Sequence, residues 1–398
     1  MLYTTPHSAT GPGIPGASSE EMDTRSRGSD RILLTAVIML MIFGVLAVYS
    51  SIAYFAGTRG TTAGSLVTGH MVKLGIAFIV LLIASKIDYH SVTHFSRIAV
   101  VISWLLLIAV MFYGDLAFGA RRSLSIVGFS FQPSSLAMVA LIVHVSVLIN
   151  EKQGYIKDFK RSFLPVMFWI LPTFILIGME DFSSAALLMG ICIVIMFIGR
   201  ISALHLGALV LVGAIGGAAL LGSSAERQSR VQEYVSQIRD INSTRLESGA
   251  GYQAQQAYIA IAQGNLFGVG IGKSTQRDFL PAPYNDFIFS IIAEEYGIAG
   301  AGLIILLFVT ILFRGIGVIA RNAEDTLGTL LASACTMAIV LYGFVNAAVA
   351  SGLLPVTGLP MPFVSYGGTS MLFTAVMIGI LLNISKHNKN QKTAFFHG

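Results

Sequence analysis

The chain has 398 residues, of which 55% are apolar and only 11% charged, and its mean hydropathy is +0.76. Soluble domains carry about 25% charged residues, so a water-soluble fold of this size is excluded. A polytopic membrane protein remains, and the questions become how often it crosses the bilayer and what its 25 Lys and Arg and 20 Asp and Glu do.

Residues 1–31 are rich in Ser, Thr, Gly and Pro without an apolar core, and read as a disordered cytoplasmic tail rather than a cleaved signal. Uncharged stretches then follow at 32–58, 98–114, 162–179, 182–199, 201–225 and 296–313. Each suits a helix crossing the ~30 Å hydrocarbon core, which takes roughly 20 residues. The second half of the uncharged stretch 123–150 reads as another span, and 67–85 as one whose Lys73 snorkels to the interface. The 60 uncharged residues from Thr326 to Ser385 hold two more, joined by a connection rich in Gly and Pro. The expected fold is all-α, with about ten transmembrane helices: seven over 32–222, a large outward loop at 223–286, three over 287–386, and a second cytoplasmic tail at 387–398. Fifteen Lys and Arg fall on the side of the termini and ten opposite, six of those in the 64-residue loop. The positive-inside rule therefore gives N-in and C-in. Nothing in the charge distribution calls for nucleic acid.

Cys192 and Cys335 lie inside expected spans and read as small packed residues. His90 and His94 have helical spacing but sit in a short inner loop, where a solvated pair is a better reading than zinc.

The outward loop holds 12 of the charges, while its middle, 251–272, is uncharged and carries Tyr252, Gln253 and Gln256. That stretch suits an amphipathic or re-entrant helix against the bundle, and a groove with one wet and one greasy face suits a lipid-linked substrate. The glycines from Gly264 to Gly272 follow no strand and face away from cytoplasmic cofactors; a close-packed turn, or an approach of backbone to an anion, accounts for them better than a dinucleotide fingerprint. Asp286 stands at the start of the eighth helix, as a helix-start carboxylate or as a general base at the membrane surface. Glu294 and Glu295 fall further in. An ionised group there costs at least ~2.5–3.5 kcal/mol, so a basic partner in the bundle is expected. On the same side, Arg121 and Arg122 form either a diphosphate site or a headgroup anchor. Glu180 and Asp181 join the fifth and sixth helices, and the Gly- and Pro-rich segment 346–370 reads as a re-entrant loop.

Together, Gly-Ala-Arg-Arg with Gln-Pro-Ser, Tyr252-Gln253 with Gln256, Gly-Asn-Leu-Phe-Gly-Val-Gly-Ile-Gly, Leu-Pro-Ala-Pro-Tyr-Asn-Asp-Phe-Ile-Phe with Glu-Glu-Tyr-Gly, and Leu-Pro-Met-Pro-Phe-Val-Ser-Tyr-Gly-Gly-Thr-Ser resemble the SEDS family (shape, elongation, division and sporulation). The resemblance runs from about Arg31 to Lys386 and is closer to the division branch, FtsW, than to the elongation branch, RodA. It implies a peptidoglycan glycosyltransferase that polymerises lipid II at the outer face of the cytoplasmic membrane, at the division septum, with a class B penicillin-binding protein and other division proteins as partners. It implies Asp286 as the catalytic carboxylate. For the substrate it implies Arg122, Arg227, Arg230 and Lys273 about the diphosphate, with or without Mg or Mn; Tyr252, Gln253 and Gln256 about sugar or pyrophosphate; and Ser365, Gly367, Gly368 and Thr369 along the cavity. Arg121, Asp181, Glu294, Glu295 and Asn346 support them. The chain departs from the family pattern at Ser123, Ser135, Met138, Ala282, Tyr284 and Tyr342, which puts full activity in question. Two other readings are a lipid II flippase or solute transporter, and a non-catalytic scaffold; against transport, the helix breakers all lie in the second half rather than in inverted repeats.

Overall fold

A computed structural model describes residues 29–58, 63–117, 120–126, 129–239, 249–280 and 282–387. The tails expected at either end lie, beyond 29 and 387, outside the described residues. In chain order the helices are α1 (Arg31–Thr58), α2 (Ala63–Ala84), a short α3 (Tyr89–His94), α4 (Ser96–Tyr113), α5 (Pro133–Glu151), α6 (Leu164–Glu180), α7 (Phe182–Ile198), α8 (Ala203–Gly222), α9 (Ala225–Arg239), α10 (Gly249–Gly264), α11 (Ile288–Leu312), α12 (Thr326–Ala350) and α13 (Thr369–Lys386). Among the described residues, nine helical stretches are long and apolar enough to cross a membrane, and the 17-residue α7 makes the tenth expected span. Of their central residues, 78% are buried in α5 and 67% in α12, against 17% in α8, so the first two form the middle of the bundle and α8 its edge. Cys192 and Cys335 are buried free thiols, as expected.

The helical expectation misses one feature. Between α4 and α5 the chain forms an antiparallel sheet of β1 (Asp115–Ala117), β2 (Ala120–Ile126) and β3 (Phe129–Phe131), in the order β1-β2-β3. Its register pairs Leu116 with Arg121 and Leu124 with Phe131. The alternation of Leu124, Ile126, Phe129 and Phe131 about Val127-Gly128 was the available signal, two short period-two runs around a turn.

At the face where the described residues begin and end, Asp30 accepts from Arg314 at 2.9 and 2.5 Å, and its backbone N–H donates to Ser385 Oγ at 3.1 Å. Beside them His90 is not simply solvated: its Nδ1 lies 3.0 Å from Asp88 and its Nε2 2.9 Å from Asp325, the N-cap of α12.

The outer loop folds into α9, then α10 packed along α11, then the glycine run. α11 is broken at Gly297 (φ +67°, ψ −167°), where a helix would join Ile298 and Ala299 to the carbonyls of Glu294 and Glu295. Those four groups turn to the glycine run instead. Ile298 and Ala299 donate to Asn265 and Leu266 at 3.0 and 3.2 Å, while Val269 and Gly270 donate to Glu294 and Glu295 at 2.9 and 3.1 Å. Gly268 (φ +83°) allows the approach, since a Cβ there would stand 2.0 Å from the Glu295 carbonyl oxygen. Broken backbone inside a membrane protein requires such protein-borne partners. The close-packed turn is thus the correct reading of these glycines.

Glu294 and Glu295 are buried, but the expected basic partner is replaced by a cage of neutral donors. Glu294 accepts from the Ser274 hydroxyl, from Thr275 N–H and Oγ1 at 2.9 and 3.1 Å, and from Gln276 N–H at 3.4 Å. Glu295 accepts from the Ser50 hydroxyl and from Ser274 N–H at 3.3 Å. Arg277 stops at Ser50, donating to its carbonyl at 3.0 Å.

Candidate active site

The segment before α11 is stitched to the re-entrant loop through three successive carbonyls. Tyr284 O accepts from Tyr366 N–H at 2.8 Å, Asn285 O from the Ser365 hydroxyl at 2.6 Å, and Asp286 O from the Asn346 amide at 2.9 Å. The same Asn346 amide donates to Leu359 O at 2.8 Å, clamping the loop to α12. The backbone of Asp286 is therefore fixed independently of its side chain. Phe287, not Asp286, occupies the N-cap of α11, and no side chain caps that helix. Asp286 thus stands one residue before that N-cap without capping the helix. Its Oδ1 is buried without a hydrogen-bond partner.

A Cβ at Gly358 (φ +74°) would stand 3.6 Å from Asp286 Oδ2 and 3.9 Å from Arg122 Nη1, so both charges face one point on the re-entrant loop. Arg122 reaches it from β2, its Nε donating to Glu180 O at 3.3 Å. Asp181 caps α7, accepting from Ser184 N–H and hydroxyl at 3.1 and 2.8 Å. Burial pushes the Asp286 carboxyl from 3.8 up to about 6; Arg122 opposes the rise, Asp181 adds to it and Arg230 opposes it. Such a carboxylate is poised to take up or release a proton near neutrality.

Two cavities meet here, sharing Arg122, Asp181 and Leu359 in their walls. The smaller, about 280 Å³, has a mixed wall, with Gln132, Ser134, Asn285, Ser365 and Thr369 on its polar side and Met138, Ile339 and Phe373 on its apolar one. The larger, about 950 Å³, is walled by apolar residues such as Met179, Phe182, Leu187 and Leu220, with Arg122, Arg227 and Arg230 at its polar rim. Arg227 also donates to Met179 O at 2.6 Å and Leu220 O at 3.1 Å near the ends of α6 and α8, so part of its capacity is structural.

The two cavities bring together Arg122, Arg227, Arg230, Asp181, Ser365, Gly367, Gly368 and Thr369; Asp286 and Asn346 line neither, Asp286 standing behind Gly358 of the small cavity's wall and Asn346 holding its backbone. Tyr252, Gln253 and Gln256 lie on α10 and Lys273 is exposed in the glycine turn; none of these four lines either cavity. Glu294 and Glu295 belong to the α11 break. The side chain of Arg121 lies outside the described residues. Sequence reasoning missed Gln132, whose N–H donates to Thr369 Oγ1 at 2.9 Å, although Pro133 after it marks a helix start. Tyr366, between Ser365 and Gly367, also walls the small cavity, and Lys73 does not merely snorkel but donates to its hydroxyl at 3.3 Å. The departures Ser123, Ser135, Met138 and Tyr342 line that same cavity.

The family described as Cell cycle protein (FTSW_RODA_SPOVE) matches residues 30–390. The chain belongs to that family. Stage V sporulation protein E of Bacillus subtilis is 32% identical over 372 residues, covering 92% of this chain and 100% of that protein. The probable peptidoglycan glycosyltransferase FtsW of a Geobacter species (strain M18) is 33% identical over 366 residues, covering 91% and 98%. Among solved structures, a chain of a peptidoglycan synthase complex aligns with TM-score 0.71 at 22% identity, over 90% of this chain and 97% of that one. The rod shape determining protein RodA of Thermus thermophilus aligns with TM-score 0.63 at 22% identity, covering 90% and 96%. These two likenesses establish the SEDS fold, and with it a multi-pass membrane protein.

Proposed function

We propose that the protein is a peptidoglycan glycosyltransferase that polymerises lipid II at the outer face of the cytoplasmic membrane. The observation that carries the reading is the Asp286 carboxyl, backbone-clamped and with its Oδ1 unpartnered, facing Gly358 of the small cavity's wall beside Arg122, which walls both cavities. The names of relatives add to it, since FtsW proteins about 30% identical are described as probable peptidoglycan glycosyltransferases. The large cavity suits the polyprenyl end of the donor, with its diphosphate at the three arginines. The small one suits the acceptor's sugar hydroxyls. Asp286 accepts the proton of the acceptor GlcNAc 4-hydroxyl as that oxygen bonds to C1 of the donor MurNAc. The C1–O bond to the diphosphate breaks, undecaprenyl diphosphate leaves with the electron pair, and C1 is inverted.

Among the described residues no three His, Cys, Asp or Glu side chains converge on a metal position. The three arginines at the large cavity supply positive charge for the diphosphate. The active side is outward because the Lys and Arg of the opposite face mark the cytoplasm. The cytoplasmic membrane, the septum, and partnership with a class B penicillin-binding protein and other division proteins belong to the same proposal, supported by the alignment with a chain of a peptidoglycan synthase complex.

Lipid II vesicles containing the protein and its partner synthase test the class of activity. Polymerised glycan in the products is the expected result; lipid II translocated without polymerisation would make the protein a flippase, and neither outcome would leave a scaffold.

A further inference from the structure

Away from the proposed active site, a cavity of about 330 Å³ opens between α4, α5 and α6, walled by Arg97, His144, Leu148, Pro165, Phe168 and Trp169. It lies at the face where the described residues end: eight residues before Arg97, Tyr89 N–H donates to Asn383 near the end of α13 at 3.0 Å. His144 is 5% exposed; its Nδ1 shares a hydrogen bond with Ser96 Oγ at 3.1 Å, and its Nε2 is buried without a partner among the described residues. Arg97 is exposed, with its guanidinium 5.8 Å from the Trp169 ring centroid, and among the described residues it has no carboxylate partner. The outer rim is greasy, with Phe168 61% exposed. The connection from α5 to α6 adds Lys152, Lys157, Lys160 and Arg161.

We propose that this cavity binds the phosphate of an anionic phospholipid from the leaflet at that face, with Arg97 as the charged ligand and His144 as a buried donor. When the Ser96 hydroxyl donates to Nδ1, the proton of the neutral imidazole sits on Nε2, the nitrogen that lacks an acceptor. An unpaired buried donor is costly, and a phosphate oxygen is the acceptor a bilayer supplies. Exposed Phe168 gives the first acyl carbons an apolar surface, and the basic connection raises the local concentration of anionic lipid. A soluble phosphate offers the same oxygens without the acyl chains.

The chain's two tryptophans report on the site without labelling, because Trp169 walls the cavity and Trp104 stacks on it at 5.3 Å. The full chain would be placed in phosphatidylcholine nanodiscs carrying a small fraction of acyl-brominated phosphatidylglycerol or, in parallel, equally brominated phosphatidylcholine. Stronger indole quenching by the anionic lipid is expected, relieved by unbrominated phosphatidylglycerol but not by inorganic phosphate. Arg97→Gln is expected to weaken the preference about tenfold and Arg97→Lys to keep part of it, through loss of two-point phosphate contact. Because Arg97 is exposed, its replacement leaves the helix packing intact, which an unchanged unfolding temperature checks. Equal quenching by the two lipids, or a preference that survives Arg97→Gln, would overturn the proposal. Relief by inorganic phosphate would overturn the lipid assignment in favour of a soluble phosphate ligand.

Discussion

Asp286→Asn should make the folded protein more stable while removing its catalytic base, by an amount set by pH. The carboxyl is raised from 3.8 to about 6 in the fold. Between those values the unfolded chain ionises before the folded one, so folding is increasingly penalised as pH rises and the penalty is complete above about 6. Stability from this group is thus fully present below its unfolded pKa and lost through its folded pKa. At 1.36 kcal/mol per tenfold, the wild type carries roughly 3 kcal/mol of penalty at about pH 8 and roughly 1.6 at about pH 5. Asn is nearly isosteric, leaves the three clamped carbonyls alone, and carries no such charge. Chemical unfolding in detergent should find the variant more stable at the higher pH, with an advantage over wild type that shrinks by roughly 1.4 kcal/mol on going to pH 5. A difference of equal size at both pH values, or one that grows in acid, would refute the idea that desolvation of the Asp286 carboxyl disfavours its charged form in the fold.

Lipid II polymerisation should rise with pH through an acid limb near 6 as Asp286 loses its proton, and Arg122→Gln should move that limb to higher pH by removing the cation that opposes the rise; a profile in buffers from about pH 5 to 8 reads both. Asn346→Ala releases the carbonyls of Asp286 and Leu359 and should cost about 1–3 kcal/mol in detergent unfolding, with a fall in turnover although the carboxylate is intact. Gly268→Ala should destabilise by at least the ~1–2 kcal/mol of a left-handed non-glycine residue, because its Cβ would meet the Glu295 carbonyl at 2.0 Å; unchanged stability would remove the glycine turn from its role at the α11 break.

What the sequence made legible follows from scarcity of charge. Uncharged runs locate the spans because a charge in hydrocarbon is costly, and the few outward charges single out Asp286, Arg122, Arg227 and Arg230. What stayed hidden depends on contacts distant in sequence. Glu294 and Glu295 suggest a cation to any local reading, yet their partners are hydroxyls and amides of Ser274 to Gln276, some twenty residues back and brought near by the turn that also heals the Gly297 break. Tyr252, Gln253 and Gln256 share a helix in the same outer loop as the arginines, but α10 is held along α11 away from both cavities. The sheet that delivers Arg122 is faint in the sequence because its outer strands have three residues each, so its period-two signal is confined to the short runs on either side of Val127-Gly128.

As the base of a glycosyl transfer, Asp286 should be indispensable to chain growth. Polymerisation of labelled lipid II by the purified protein with its partner synthase, compared between wild type and an Asp286→Ala variant whose unfolding shows it to be folded, tests that role. Long glycan chains from the wild type and none from the variant are predicted; equal polymerisation by the two would contradict it.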